Sequence, residues 1–213
     1  MLAGVKEVGD EAIHERFAEV LAPVRDQLLE RLTPHEGERV LDLNAFEGNP
    51  EYLPFDDESF DVVLSTFAFI WAPDHANVAS ELGRVIPSGG RLGFTAWKPN
   101  PKLGELYRRF SEEPLDGRES VEWGREDHVE DMLGDDFELD FEDGTLWLDV
   151  DSAEDLWQLF SHSSPPVVGL LGRLDEDQGE AFHRAFVELF ETYRDGERVR
   201  APRRYLLTLG RRR

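Results

Sequence analysis

The sequence predicts an α/β fold built on a parallel sheet, because apolar strand segments alternate with helical ones. Short apolar runs at 39–43, 60–67 and 91–97 are typical of strands. The run at 60–67 is almost continuously apolar, as in a parallel strand that is covered on both faces. A helical pattern at 73–86, with proline in its first turn, separates the last two runs. The right-handed crossover rule then limits how these strands can connect.

Further helices and strands are predicted on both sides of this segment. Residues 10–32 favour a helix with Asp10 as its N-cap, kinked or restarted at Pro23. Beyond Trp97 the pattern predicts helices at 123–133, 151–163 and 176–193, and strands at 137–150 and 205–210. The aromatic face of the last of these helices is typical of core packing.

Length and charge restrict the function classes. The 213 residues predict a single domain, large enough to bury about 70% of the surface that its unfolded chain exposes. With three lysines, twenty arginines and a net charge of −23, the chain is expected to repel nucleic acid and anionic membranes. The charge favours an origin in concentrated salt over an ordinary acidic protein. The arginine-rich segment 198–213 is predicted to be a strand with solvated flanks.

The absence of certain residue patterns points to a cytoplasmic protein. There is no cysteine, so neither disulfides nor thiolate metal sites are expected. No run of about 18 apolar residues predicts a membrane span, and the first residues lack the apolar core of a signal peptide.

Three segments carry a resemblance to a known family. They are ERVLDL at 38–43, LPFDDESFDVVLSTFAFIWAPDH at 53–75 and ELGRVIPSGGRLGFTAW at 81–97. At this spacing they resemble class I S-adenosylmethionine-dependent methyltransferases of type 11, as do WGREDHVEDMLGDDFEL and PRRYLLTLGRR further on. The resemblance covers about residues 10 to 213. It implies a Rossmann-like methyltransferase domain over 1–213, with N-terminal helices at 10–32, the core at 38–97, and a helical cover with the last strands at 98–213.

The chain departs from the family directly after its first strand. The family has a glycine-rich loop there, where the backbone must approach the donor without an intervening Cβ. This chain has Asn-Ala-Phe-Glu-Gly-Asn at 44–49. Only sixteen residues, 44–59, precede the next predicted strand, and one strand–helix–strand unit needs about 30. The family's second and third strands, and the acid that binds ribose, are therefore expected to be missing.

This gap predicts a truncated sheet. Removing two strands from the family order 3-2-1-4-5-7-6 leaves 1-4-5-7-6, with helical additions after the core. The first strand then becomes an edge strand with unpaired backbone groups. Two alternatives remain open: a homodimer through this edge, or a monomer in which the loop 44–59 covers it.

The resemblance also implies a set of donor-binding residues at the ends of the first two core strands and in the loop between them. These are Asp42, Asn44, Asn49, Ser65, Thr66 and Phe67. By this resemblance Asp42 orients the methionine end of S-adenosylmethionine, Asn49 lies near its adenine, and 65–67 line the floor between donor and acceptor.

Three of these residues also have a structural interpretation. Asp42 could be an acid satisfied by backbone amides at a strand end, Asn49 a turn residue and Phe67 a packing residue. His75 is expected to be a surface or satisfied histidine, and His128 shows no partner pattern. No motif for hydrolysis or metal binding is present.

Three hypotheses about function follow. The first is a methyltransferase that acts on a small-molecule acceptor with S-adenosylmethionine as cofactor. Because methyl transfer depends mainly on positioning, no catalytic residue is singled out. The second is a degenerate homologue that has lost the donor site and persists as a binding or self-assembly module. The third is a deletion product that folds without a function of its own.

Overall fold

The protein is described here by a computed structural model that covers residues 7–111 and 119–213. The predicted α/β class is confirmed. The helices are α1 (Glu7–Leu32), α2 (His75–Val85), α3 (Pro101–Phe110), α4 (Glu126–Leu133), α5 (Ala153–Ser163), α6 (Pro165–Leu171) and α7 (Glu176–Glu191), with short 3-10 helices at Phe69–Trp71 and Glu119–Gly124. The strands are β1 (Val40–Asp42), β2 (Val62–Thr66), β3 (Arg91–Trp97), β4 (Phe137–Val150), β5 (Arg194–Asp195) and β6 (Arg198–Arg212).

One sheet contains the six strands of the described ranges, in the order β1-β2-β3-β6-β4, with β5 paired to β6. Strands β1, β2 and β3 are mutually parallel, and β6 runs antiparallel to β3. The carboxyl ends of β1, β2 and β3 therefore lie at one edge of the sheet, which positions the candidate site. The assignment of these strands to the family order 1-4-5-7-6 stays a prediction.

The described chain divides into two compact units. The first, here called the sheet unit, comprises 24–99, 119–145 and 204–213, and the helical unit comprises 7–23, 100–111 and 146–203. The prediction of a single domain stays a prediction.

In the sheet unit, α1 lies close to β3. Its residues Val24, Leu28 and Leu32 are at most 2% exposed. Gly93 in β3 allows the close approach, because a Cβ there would lie 2.8 Å from Cδ1 of Leu32. An alanine at this position would force the Leu32 side chain to shift.

In the helical unit, aromatic rings of α3, α5 and α7 form the core. Phe182 of α7 lies 5.3 Å from Phe110 of α3, and Phe186 lies 5.4 Å from Trp157 of α5, between ring centroids. Phe182 and Phe186 are fully buried, which confirms that the aromatic face of this helix is core.

Several boundaries differ from the prediction. Helix α1 begins at Glu7, so Asp10 is not its cap, and it continues through Pro23 without a break. Packing of the apolar residues that follow Pro23 outweighs the one hydrogen bond that a proline cannot donate. The helix predicted at 123–133 is a 3-10 turn followed by α4, and α3 and α6 were not predicted. Within the described ranges, no helix combines the length and apolar character needed to cross a membrane.

Candidate functional site

Residues at the ends of β1 and β2 meet because the two strands are parallel and in register. Asp42 pairs with Leu64, and the Leu43 amide donates to the Leu64 carbonyl at 2.9 Å. Asn44 and Thr66 therefore lie side by side just beyond the paired strands. The structure thus brings together most of the residues predicted for donor binding.

Asp42 is held by one backbone amide and one arginine. Its carboxylate accepts from the Asn44 N–H at 2.9 Å and from Nη2 of Arg25 at 3.0 Å. The side chain of Asp42 is 19% exposed, and that of Arg25 is 50% exposed. The backbone contact fits the structural interpretation of Asp42, and the arginine, contributed by α1, was not foreseen.

Asn44 uses both atoms of its side-chain amide on Thr66. Its Oδ1 accepts from the Thr66 N–H, and its Nδ2 donates to the Thr66 carbonyl, each at 2.7 Å. The side chain thus imitates one more residue of β1 and continues the strand pairing. An amide in this arrangement keeps only one N–H and one lone pair for any other partner.

Ser65 and Thr66 are buried at the end of β2. The Ser65 hydroxyl accepts from the N–H groups of Ala68 and Phe69, both at 3.3 Å. Thr66 is 3% exposed, and its hydroxyl has no hydrogen-bond partner among the described residues. Thr66 therefore holds a buried polar atom that the protein itself leaves unsatisfied.

Phe67 has a left-handed backbone, with φ of 55°. Its ring stacks on Trp97 with centroids 3.6 Å apart and planes 4° from parallel, and it meets Tyr205 edge-on at 5.8 Å. A positive φ is unfavourable for an aromatic residue and persists only where the surroundings fix it. Phe67 is 4% exposed, so packing accounts for its position.

Asn49 does not join these residues. Its side chain closes a turn on Glu51, accepting from the Glu51 N–H at 2.9 Å and donating to the Glu51 carboxylate at 3.1 Å. That carboxylate also accepts from the Asp74 N–H at 2.8 Å, just before α2. The turn interpretation of Asn49 therefore describes its contacts.

The loop at 43–61 contains neither helix nor strand and is fixed to α2 by Arg84. The Arg84 guanidinium donates to the carbonyls of Phe55 at 2.7 Å and Leu53 at 3.0 Å. It also pairs with Glu81 at 2.8 Å, and Glu81 in turn accepts the Leu53 N–H at 2.6 Å. This pairing raises the pKa of Arg84 and lowers that of Glu81.

Gly48, the one glycine of the loop, is covered. A Cβ on Gly48 would lie 2.1 Å from Cζ of Phe46, so the Phe46 ring rests directly against this glycine. Phe46 also contacts Phe55, whose ring meets Phe60, with centroids 5.7 and 4.9 Å apart.

These contacts test whether S-adenosylmethionine fits the predicted site in the family's manner. The polar groups of Asn44, Asn49 and Ser65 are already bonded within the chain. The described turn after β1 has a single glycine, Gly48, and the Phe46 ring lies against it. Few polar groups at these strand ends therefore remain unbonded and available to a donor.

Sequence reasoning did not find the residues that organise this region, namely Arg25, Glu51, Glu81 and Arg84. Each acts on a partner at least 17 positions away. No local pattern in the sequence marks such a pairing.

Comparisons with known proteins agree with the fold. Residues 15–94 match the protein family described as Methyltransferase domain. An uncharacterized protein of Mycobacterium tuberculosis is 36% identical over 115 residues, which is 51% of this chain and 41% of that protein. The match thus spans less than half the length of this relative.

An enzyme and a solved structure extend the comparison. The phthiotriol/phenolphthiotriol dimycocerosates methyltransferase of Mycobacterium leprae is 40% identical over 73 residues, or 34% of this chain and 27% of that enzyme. A candidate methyltransferase from Bacillus halodurans superposes with a TM-score of 0.54 at 18% identity, covering 87% of this chain and 97% of its own. The sequence match at 15–94 and the shared α/β fold thus support the resemblance to class I S-adenosylmethionine-dependent methyltransferases.

Proposed function

We propose that this chain is a non-catalytic member of its family, in which the donor cleft is closed by the chain's own side chains and the domain serves as a binding and self-assembly module. The observation that carries the proposal is the double hydrogen bond between the Asn44 amide and the Thr66 backbone, at 2.7 Å each. A donor entering between the ends of β1 and β2 would have to displace it.

The cost of opening the cleft supports this proposal. The two hydrogen bonds of the Asn44 amide together contribute about 1 kcal/mol, which a donor that breaks them has to offset. Moving Phe46 away from Gly48 would also expose apolar surface, at about 25 cal/mol per Å². The donor would have to supply this energy without the ribose acid and glycine loop that the family uses.

The alternative is an active methyltransferase with a small-molecule acceptor, and one observation favours it. The buried Thr66 hydroxyl is unsatisfied among the described residues, and Asp42, at the end of the neighbouring strand, keeps 19% of its side chain exposed. In that case S-adenosylmethionine would supply the methyl group. Asp42 would hold the donor's cationic end, and residues 65–67 would place the acceptor.

Calorimetry and thermal melting decide between these functions. The purified protein is titrated in molar salt with S-adenosylmethionine and with S-adenosylhomocysteine. We expect no heat and no rise in Tm at millimolar ligand, since a ligand that binds the native state raises its stability. Micromolar binding that is lost in Asp42→Ala but kept in the control Asp26→Ala would overturn the proposal and establish the alternative.

The surface proposed for assembly is the outer edge of β1. In the described sheet, β1 pairs only with β2, and Val40 on this edge is 42% exposed. The loop 43–61 bonds to α2 through Leu53 and Phe55. An edge strand left in this state can pair with the same strand of a second copy.

Light scattering after size exclusion tests this edge. Molar salt is needed, because a net charge of −23 on each copy opposes association at low salt. We expect a dimer that Val40→Lys converts to a monomer. The matched control is Val168→Lys in α6, since Val168 is 44% exposed, and it should leave the dimer intact. A wild-type monomer at high protein concentration, or a dimer in Val40→Lys, would contradict the assignment.

A further inference from the structure

Two histidines that the sequence did not link form a direct contact in the sheet unit. Nδ1 of His75, the first residue of α2, lies 2.8 Å from Nε2 of His128 in α4. Both rings meet the indole of Trp123, with centroids 5.0 and 5.4 Å away. The sequence shows no pattern that pairs His128 with another residue, and the structure places it against His75.

The pair lies against a fully buried tryptophan. Trp123 is 0% exposed and meets Phe69 and Phe94 edge-on, with centroids 5.0 and 5.7 Å apart. Its indole N–H has no hydrogen-bond partner among the described residues. The contact between the histidines thus joins α4 and the 3-10 helix at Glu119–Gly124 to the start of α2 and, through Trp123, to β3.

The number of protons on the two rings decides whether this hydrogen bond can persist. Two imidazole nitrogens 2.8 Å apart need one hydrogen between them. The neutral pair provides it, and a singly protonated pair keeps it at the cost of burying a positive charge. A doubly protonated pair directs two N–H groups at each other and cannot stay in contact. A metal site is not indicated, because no group of three potential ligands occurs among the described residues.

The charges around the pair come from several elements. Glu122 of the 3-10 helix and Asp127 and Asp131 of α4 favour a protonated His128, and Arg125 opposes it. Burial outweighs these acids and lowers the pKa of His128. On the α2 side Asp74 precedes His75 in the sequence and caps the helix through the Asn77 N–H at 3.0 Å.

We propose that the His75–His128 pair is a pH-sensitive contact that holds α4 and the preceding 3-10 helix against α2 at neutral pH and releases them in acid. Two facing imidazoles next to a buried indole form a contact that double protonation breaks. The proposal does not depend on donor binding.

The direction of the effect follows from the lowered pKa. A histidine whose folded pKa lies below its unfolded value binds fewer protons when folded. The contact is therefore at full strength above the unfolded pKa of about 6.5. It weakens as the pH falls from there, because the first added proton buries a positive charge, and it breaks when both rings are protonated.

The test follows the Trp123 indole N–H signal by NMR in molar salt, from about pH 8 to about pH 4.5. We expect this signal to shift or broaden below about pH 6.5 in the wild type and to stay constant in His128→Gln. The glutamine amide can still donate to His75 and does not titrate. The control His162→Gln, which changes an exposed histidine of α5, should behave like the wild type.

Two results would overturn the proposal. One is an indole signal that does not change over this range in the wild type, and the other is the same transition in His128→Gln. Should that variant fail to fold, the ring nitrogens of wild-type His128 give the answer by NMR titration. A midpoint above the unfolded value, with the indole unaffected, would equally refute a contact that opens in acid.

Discussion

Two crossovers of the sheet unit connect neighbouring parallel strands by different physical means. Between β2 and β3 the chain forms α2, whose residues Val78, Leu82 and Val85 are at most 1% exposed. Between β1 and β2 the loop 43–61 has no helix or strand, and Arg84, Glu81 and Glu51 fix it in place. The first connection depends on apolar burial, and the second depends on a few directional bonds.

The difference explains why the sequence predicts the helix between β2 and β3 but predicts no structure for the loop between β1 and β2. Apolar burial repeats with the period of the helix, so it leaves a pattern in the sequence. The bonds of the loop join side chains to backbone groups 23 to 31 residues away. The same contrast predicts that single substitutions in the two regions will have unequal effects.

The largest expected effect is the difference between truncating a buried ring of β3 and truncating a ring of the loop. Phe94 in β3 is fully buried against Phe69 and Trp123, so Phe94→Ala should lower the free energy of unfolding by about 4 kcal/mol. Phe55 in the loop is only half-buried, and Phe55→Ala should cost about 1.5 kcal/mol. Urea unfolding followed by circular dichroism measures both.

The exposed Val168 provides the control for these truncations. Val168→Ala should change the free energy of unfolding by less than about 0.5 kcal/mol. Equal losses for Phe55→Ala and Phe94→Ala would mean that the loop is packed as tightly as the sheet, and the comparison would fail.

The next effect concerns the bonds of the loop. Arg84→Met keeps most of the side-chain stem but removes the donors to the Leu53 and Phe55 carbonyls and leaves Glu81 without its cation. We expect a loss of about 3 kcal/mol in the free energy of unfolding, together with faster proteolysis within the loop. The control Arg184→Met removes a pair with Glu180 in which both side chains are about two-thirds exposed, and it should cost less than about 1 kcal/mol. Similar losses in the two variants would show that the bonds from Arg84 to the loop stabilise the fold no more than an exposed ion pair does.

The fold was predictable where apolar residues recur with a regular period. Strands β2 and β3 and helices α2, α5 and α7 follow from such patterns. Helices α3 and α6 do not, because α3 is amphipathic over only ten residues and α6 spans seven. The continuity of α1 through Pro23 was also missed, since packing overrides the local preference of proline there.

The sequence predicted where the candidate residues lie, but not which hydrogen bonds their side chains form. The resemblance located Asp42 and Thr66 at adjoining strand ends, and the structure brings them together. What their side chains do depends on Arg25 and Asn44, which lie 17 and 22 residues from the groups that they bind. A sequence alone shows that a polar group is present, but it does not show whether an internal partner already uses it.

The smallest expected effect tests that last point at Asn44. Asn44→Ala removes both bonds to Thr66 and should lower the free energy of unfolding by about 1 kcal/mol, independently of pH. Asn44→Asp should cost more, about 2 kcal/mol at neutral pH, because a carboxylate oxygen would face the Thr66 carbonyl near the Asp42 carboxylate. That repulsion raises the folded pKa of the introduced carboxyl, so the excess loss should disappear as the pH falls to about 4, where a protonated carboxyl can donate to Thr66. If the two variants instead differ by the same amount from about pH 7 to about pH 4, Asn44 does not bond to the Thr66 carbonyl. Its amide would then be free to meet a ligand, and the closed cleft would lose its principal support.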